Sequence, residues 1–115
     1  MEAEDSPATS LLYVTASSRD EALVIGRAAV EEQLAACANV LEGMTSIYRW
    51  QGQLEQSTEC VLLLKTRTAL VQELMACVRE LHSYECPCIV ELPVTGGNPA
   101  YLQWIADSTG DRSTG

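Results

Sequence analysis

The chain has 115 residues, which is enough for one domain that buries roughly two thirds of its unfolded surface without disulfides or a structural metal. Its net charge of −9 at pH 7 repels nucleic-acid phosphates and anionic lipids, so we expect neither nucleic acid nor a membrane as a partner. No apolar run approaches the roughly 20 residues that span a bilayer, and no secretion signal opens the chain, which favours a cytoplasmic protein.

The cysteines also favour a reducing compartment. There are five of them, an odd number, and most lie within apolar runs, which suits free thiols in the cytosol. They are Cys37, Cys60, Cys77, Cys86 and Cys88.

The first third of the chain predicts a tail, a strand and a helix. Residues 1–9 are acidic and polar and are expected to be disordered. Residues 10–16 are typical of a buried strand. From Ser18, which forms a capping-box pattern with Glu21, apolar residues recur at helical spacing to about Ala36.

A long hairpin follows. Two strand-like runs, residues 37–48 and 59–66, flank the turn-forming pair Gln51-Gly52 and predict antiparallel strands. The pair Glu42-Gly43 predicts a bulge. Alternation in the return strand predicts a core face formed by Cys60, Leu62, Leu64 and Thr66.

A second helix, a strand and a short helix complete the predicted elements. Thr68 is a candidate N-cap for a helix that ends near His82, with an apolar stripe at Leu70, Leu74, Cys77, Val78 and Leu81. Residues 86–94 predict a last strand, whose two prolines favour a sheet edge. Asn98 and Pro99 then open a short helix with an apolar face of Tyr101, Leu102, Trp104 and Ile105. Residues 109–115 are expected to be disordered.

The element order β-α-β-β-α-β followed by a short helix predicts an α+β fold of the ferredoxin-like class over residues 10–108. Right-handed connections give an antiparallel four-stranded sheet with two helices on one side.

The hairpin further predicts self-association. A helix of about 18 residues is roughly 27 Å long, whereas strands of about 14 residues reach roughly 46 Å. The helices cannot cover the hairpin tip, where Ile47, Tyr48 and Trp50 would expose apolar area and strand edges. We therefore expect a closed ring of identical subunits.

Several motifs then indicate a family. In order and spacing they are residues 35–40, 45–52, 64–66, 81–85 and 98–104. They closely resemble the CutA family of divalent-cation-tolerance proteins, and the resemblance covers about residues 11–108. It implies a ferredoxin-like subunit in a homotrimer, similar in architecture to the PII signalling proteins, with a role linked to copper and other divalent cations.

The chain departs from that family at its proposed copper ligands. Some bacterial members carry a Cys in the first strand and a His-His pair after the second helix, where this chain has Val14 and Leu81-His82. The Pro that usually follows is Ser83, and a Cys86-Pro87-Cys88 sequence stands where relatives generally have no cysteine pair.

One cluster of metal-ligand types remains. His82, Glu85, Cys86 and Cys88 supply a nitrogen, a carboxylate and two sulfurs within seven residues, a set suited to weak binding of a soft or borderline ion such as copper, as Cu(I), or Zn(II). The alternative is that the two cysteines are small buried hydrophobes. Cys37 is a further candidate ligand, with burial as its alternative.

A second candidate site is a cleft between subunits. Lys65, Arg67 and Tyr84 lie at element ends, and Tyr48 or Trp50 of a neighbouring subunit would complete a polar cleft for a small anionic ligand. The alternative is a set of interface ion pairs and hydrogen bonds.

The sequence predicts no enzyme. It has one His, no Gly-rich phosphate loop and no Ser-His-Asp set, so proton transfer lacks a clear base. Three functions stay open: metal-ion tolerance by a metal-binding trimer, regulation by a PII-like trimer that binds a small ligand, and a structural trimer without a dedicated ligand.

Overall fold

A computed structural model describes residues 7–110 of the chain. The elements in chain order are β1 (Thr9–Ala16), α1 (Arg19–Glu31), β2 (Cys37–Trp50), β3 (Gln53–Arg67), α2 (Val71–Leu81), β4 (Ile89–Val94) and α3 (Pro99–Ser108), with a 3-10 turn at Thr68–Leu70 between β3 and α2.

The predicted terminal tails fall mainly on residues 1–6 and 111–115, which lie outside the described residues. Within the described part, Thr9 is the first residue of β1, and Thr109 and Gly110 are buried, although the sequence placed all three in the tails. The guanidinium of Arg67 holds Thr109 and Gly110 in place by donating hydrogen bonds to the Thr109 hydroxyl at 3.0 Å and to the Gly110 carbonyl oxygen at 2.7 Å.

The four strands form one sheet in the order β2-β3-β1-β4, and every neighbouring pair is antiparallel. The predicted α+β arrangement, a four-stranded antiparallel sheet with helices, is confirmed. β4 lies at an edge, as its prolines indicated. The chain consequently has two different exposed edges, β2 on one side and β4 on the other.

One face of the sheet forms the core with α1 and α2. All four residues of the face predicted for β3 are buried there, which confirms the alternation. The largest fully buried apolar side chains are Leu12 and Val14 of β1, Ile25 of α1, Leu62 and Leu64 of β3, and Leu74 and Val78 of α2, together with Ile105 of α3.

α1 approaches the sheet closely at Gly26. A Cβ atom at this position would lie 3.0 Å from Ala38 Cβ and 3.2 Å from Leu62 Cδ1. The absence of a side chain at Gly26 therefore allows α1 to pack closely against the sheet.

α1 ends at Glu31, five residues before the predicted end near Ala36. Gln33 adopts φ = +62°, its N–H binds the Val30 carbonyl, and the N–H of Leu34 binds the Ala29 carbonyl. This is a Schellman termination with Gln at the position usually taken by Gly. The sequence pattern suggested a longer helix because Leu34 and Ala35, although they follow the helix, are also buried.

The hairpin has the predicted turn and bulge. Gln51 and Gly52 adopt φ of +50° and +80° in a two-residue loop, as a type I′ turn requires. Leu41 is opposite Val61 and Met44 is opposite Glu59, so two residues of β2 face a single residue of β3 between these pairs. Both strands are longer than predicted, and the longest dimension of the molecule is 52 Å.

The start and end of α2 differ from the sequence expectation. Thr68 does not cap the helix; its hydroxyl shares a 2.6 Å hydrogen bond with that of Ser10, and the residue at the N-cap position, Leu70, has no side-chain oxygen to offer. Leu81 is 41 % exposed, so the apolar stripe ends at Val78.

The last strand begins at Ile89 and not at Cys86. Pro87 has no N–H to donate to a neighbouring strand, and β1 ends at Ala16, so the pairing stops with the Thr15 N–H donating to the Cys88 carbonyl at 3.3 Å.

α3 begins as predicted. The Asn98 side chain accepts from the Ala100 N–H, and Pro99 occupies the first turn. Its predicted apolar face is wrong in part, because Tyr101 and Trp104 are exposed and only Ile105 is buried.

Candidate functional site

His82 follows directly after α2 and is almost completely buried, with 9 % of its surface exposed. Its Nε2 atom lies 2.7 Å from the Thr15 carbonyl oxygen, and its Nδ1 atom accepts a hydrogen bond from the Tyr84 N–H at 3.1 Å. These partners require a neutral ring with the proton on Nε2, because a carbonyl oxygen can only accept. Both nitrogens are thus occupied, and no lone pair is left for a metal ion.

Glu21 of α1 completes this buried region. Its carboxylate accepts hydrogen bonds from the Ser17 N–H at 2.9 Å, the Ser17 hydroxyl at 2.8 Å and the Ser83 N–H at 2.6 Å. Partial burial acts to raise the pKa of Glu21, but these hydrogen bonds outweigh it and lower the pKa to about 2. Glu21 therefore stays ionised, 3.7 Å from His82 Nδ1, and joins the start of α1 to the end of α2.

Tyr84 connects the same segment to β3. Its hydroxyl donates a hydrogen bond to the Glu59 carboxylate at 2.8 Å, and its ring lies 4.7 Å from the His82 ring, centre to centre. Burial, the hydrogen bond to Glu59 and the nearby negative charges raise the pKa of Tyr84 to about 12. The hydroxyl consequently remains protonated and anchors the chain after α2.

Glu85, Cys86 and Cys88 point away from this anchored cluster. All three are exposed, which also rules out the alternative that the two cysteines are buried hydrophobes. Within residues 7–110, no three His, Cys, Asp or Glu side chains are grouped so that they could hold a metal ion. The fold separates His82 from the thiols, because the ring turns into the core while the thiols remain outside.

The other three cysteines are less available. Cys37 is half buried, and its thiol donates to the Asn39 side-chain oxygen at 3.5 Å. Burial, together with nearby acidic side chains, raises the pKa of both the Cys60 and the Cys77 thiols. Cys37 lies beside Lys65 at the end of the sheet where β1 begins, whereas Cys88 binds Thr15 near the end of β1, so Cys37 does not join the exposed pair.

The two cleft residues that carry positive charge hold α3 and its end. Lys65 Nζ lies 3.3 Å from the Tyr101 hydroxyl and 5.5 Å from the centre of that ring. Arg67 binds Thr109 and Gly110 as described above. Neither cation has a carboxylate partner among residues 7–110.

The remaining cleft residues lie elsewhere in the chain. Tyr84 is held by Glu59, the Tyr48 hydroxyl is 3.4 Å from that of Ser57, and Trp50 is exposed at the hairpin tip. A single chain does not bring the five cleft residues together.

The sequence missed the residues that define the buried cluster. The sequence pattern marked Glu21 only as a helix-capping residue, and Glu59 only as the first residue of a strand-like run. The capping signal was the single hint: Ser18 accepts from the Glu21 N–H as expected, but the Glu21 carboxylate reaches past Ser18 to Ser17 and Ser83.

Comparison with known proteins decides the family. The family model described as "CutA1 divalent ion tolerance protein" matches residues 10–108. The chain belongs to the CutA1 family. The protein named "Divalent-cation tolerance protein CutA" from Thermus thermophilus is 45 % identical over 100 residues, which are 87 % of this chain and 97 % of that protein.

Solved CutA structures have the same fold. CutA1 from Oryza sativa superposes with a TM-score of 0.89 at 33 % identity, over 92 % of this chain and 97 % of that one. The protein from Archaeoglobus fulgidus, described as a periplasmic divalent cation tolerance protein CutA, has a TM-score of 0.84 at 35 % identity, over 87 % and 97 % of the two chains. In the described part of this chain, no helix is long and apolar enough to cross a membrane.

Proposed function

We propose that the protein acts in divalent-cation tolerance as a homotrimer of ferredoxin-like, PII-like subunits that bind copper or other divalent or soft metal ions weakly. Membership of the CutA1 family supports the role. The structural observation that carries the assembly is a set of exposed apolar side chains on the sheet face opposite α1 and α2, which we call the open face.

The strand register defines the open face. Val90 and Leu92 of β4 are opposite Tyr13 and Leu11 of β1, which alternate with the core residues of that strand. Leu41 of β2 is opposite Val61, which alternates with the core residues of β3. The open face therefore carries five large exposed apolar side chains: Leu41, Tyr48, Trp50, Val90 and Leu92. A surface of this kind is typical of a subunit interface.

The two sheet edges favour a closed ring. The two edge strands, β2 and β4, are different. When β2 of one copy contacts β4 of the next, the contact joins unlike surfaces and leaves one free edge at each end of the pair. Contacts of this kind close into rings when the rotation per subunit divides the circle. In the proposed trimer such a ring is closed, so that no outer strand edge remains free.

Sedimentation equilibrium tests the assembly. We expect a mass three times that of the 12.5 kDa chain at micromolar concentration, and a lower mass for Leu41→Asp combined with Val90→Asp. Val24→Asp is the matched control, because Val24 is equally exposed but lies on α1. A monomeric wild-type protein would contradict the proposal.

Calorimetric titration of reduced, metal-free protein with Cu(I) and with Zn(II), under anaerobic conditions, tests the ion-binding part. The net charge of −9 attracts cations and opposes anionic partners, so nucleic acid and anionic membranes are not proposed as partners. We expect heat that a chelator reverses, and absence of binding to either ion would overturn this part.

A PII-like role with a small anionic ligand is the second candidate. Lys65 and Arg67 favour it, because both have only neutral partners among residues 7–110. Lys65→Ala would then weaken binding of a small anion to the trimer while leaving metal affinity unchanged.

We further propose a non-catalytic protein of the cytoplasm. The matched CutA proteins are not named as enzymes. Five free thiols, two of them exposed, suit a reducing compartment.

A further inference from the structure

Cys86 and Cys88 differ from the other three cysteines in their surroundings. Both are exposed, and within residues 7–110 neither thiol has a hydrogen-bond or ion-pair partner. The remaining thiols are either partly or fully buried, and that of Cys37 is engaged with Asn39. We call residues 86–88 the thiol strap.

The thiol strap is held at both ends although it lacks regular structure. Before it, Tyr84 binds His82 through its N–H and Glu59 through its hydroxyl. After it, the Cys88 carbonyl accepts from the Thr15 N–H, and β4 begins at the next residue. The backbone that carries the two thiols is therefore positioned by the fold, while the thiols themselves stay free.

Pro87 limits the conformations between the two thiols. A residue before proline is restricted to extended conformations, and proline itself has a fixed φ. Two residue steps span about 7 Å at most, which lies at the upper limit of the Cα separation, about 6.8 Å, that a disulfide accepts. A metal ion bridges a wider gap, because two metal–sulfur bonds of about 2.3 Å replace one sulfur–sulfur bond of about 2.05 Å.

We propose that Cys86 and Cys88 form a two-thiolate site for Cu(I). The inference rests on the proposed metal-binding function and specifies the ion. The two thiols release two protons and bind one Cu(I) through two sulfur–copper bonds, with no change in oxidation state. Soft thiolate ligands favour Cu(I), Zn(II) and iron–sulfur clusters over hard ions.

The surroundings favour an ion that needs only two ligands. No group of three ligand side chains exists among residues 7–110, and both nitrogens of His82 are occupied. Zn(II) has three or four protein ligands in its stable protein sites, so two thiolates are too few for it. The site therefore discriminates Cu(I) from Zn(II) by ligand number.

Competition with a coloured Cu(I) chelator, under anaerobic and reducing conditions, measures the affinity. We expect the wild-type protein to remove one Cu(I) per chain from the chelator. Each of Cys86→Ser and Cys88→Ser should bind Cu(I) at least about 100-fold more weakly, because loss of a ligand costs more affinity than the roughly 10- to 100-fold that changes outside the ligand shell cause. The matched control is Cys37→Ser combined with Cys77→Ser, which removes the two half-buried thiols and should leave the affinity within about 2-fold. X-ray absorption of the complex should show two sulfur ligands.

Two results would overturn the Cu(I) site. One is unchanged Cu(I) affinity in the Cys86→Ser and Cys88→Ser proteins. The other is binding of Zn(II) that is as tight as that of Cu(I) and depends on the same two thiols. Such binding would mean that the site has further ligands. The proposed function fails separately, by a monomeric mass or by absent binding of both Cu(I) and Zn(II) to the wild-type protein, whereas the Cu(I) site fails when Cu(I) binding persists in the variants.

Discussion

The imidazole of His82 donates from Nε2 to the carbonyl oxygen of Thr15 at 2.7 Å, although the two residues are 67 positions apart in the sequence. The bond joins the end of α2 to the end of the inner strand β1, and it leaves the only His of the chain with a structural role.

Replacing His82 should therefore affect stability and not metal binding. His82→Ala leaves the Thr15 carbonyl and the Tyr84 N–H without partners, and we expect the free energy of unfolding to fall by about 2–4 kcal/mol. Denaturant unfolding at fixed protein concentration measures this, with Arg79→Ala, an exposed change on α2, as control. Wild-type stability together with lost Cu(I) affinity would show that His82 is a ligand after all.

Glu21 should make the protein sensitive to acid. Its pKa of about 2 lies below the ordinary value of 4.5, so the ionised form is favoured by folding. The resulting stabilisation is complete above about pH 5 and is lost as the pH falls towards 2.

Glu21→Gln tests this assignment. We expect it to lower the free energy of unfolding by about 1–3 kcal/mol at pH 7, and the difference from wild type should shrink between pH 5 and pH 2. Glu31→Gln, at an exposed position of the same helix, should show no such trend. A pH-independent difference would mean that the Glu21 carboxylate is not the titrating group.

Tyr84 should titrate at a higher pH than an ordinary tyrosine. Its pKa of about 12 lies above the ordinary value of 10, so the stability that it contributes is complete below about pH 10 and is lost as the pH rises through 12. Tyr84→Phe should remove a phase near pH 12 from an ultraviolet titration of tyrosinate formation and cost about 1–2 kcal/mol of stability. Tyr101→Phe should leave that phase in place, and its loss there would contradict the assignment.

Replacing Gly26 should destabilise the protein, although this glycine lies inside a helix. Ala normally stabilises a helix interior by about 1 kcal/mol over Gly. Here the added Cβ would lie 3.0 Å from Ala38 Cβ, and overpacking of a core costs about 1–3 kcal/mol. We expect Gly26→Ala to lower the thermal unfolding temperature, whereas Gly96→Ala, with open space around it, should not. A more stable Gly26→Ala protein would show that α1 can move away from the sheet.

Much of the architecture was predictable because it depends on local patterns. Alternation placed Leu62 and Leu64 in the core, and the Gln51-Gly52 pair identified the turn, since both signals act over a few residues. The end of α1 was not predictable in this way: Gln33 adopts a positive φ without the Gly that usually marks such a turn.

The predicted metal site shows which feature could not be predicted from the sequence. His82, Cys86 and Cys88 are close in sequence and have suitable chemistry, so proximity along the chain grouped them. The fold separates them, because the partners of His82 and Ser83, namely Thr15 and Glu21, come from the first strand and the first helix.

The sequence by itself determined the order of the elements, the core face of the sheet and the long hairpin, all of which follow from periodicity and turn chemistry. It also carried the motifs that resemble the CutA family. Only the tertiary structure decided which polar groups are buried and which ligand types remain free. The physical reason is that a buried His or Glu must satisfy its hydrogen bonds with whatever the fold brings near it. Thr15, the partner of His82, and Ser83, a partner of Glu21, each lie more than 60 residues away, beyond the range of any local pattern. With His82 engaged in this way, the two thiols of the strap remain as exposed ligands.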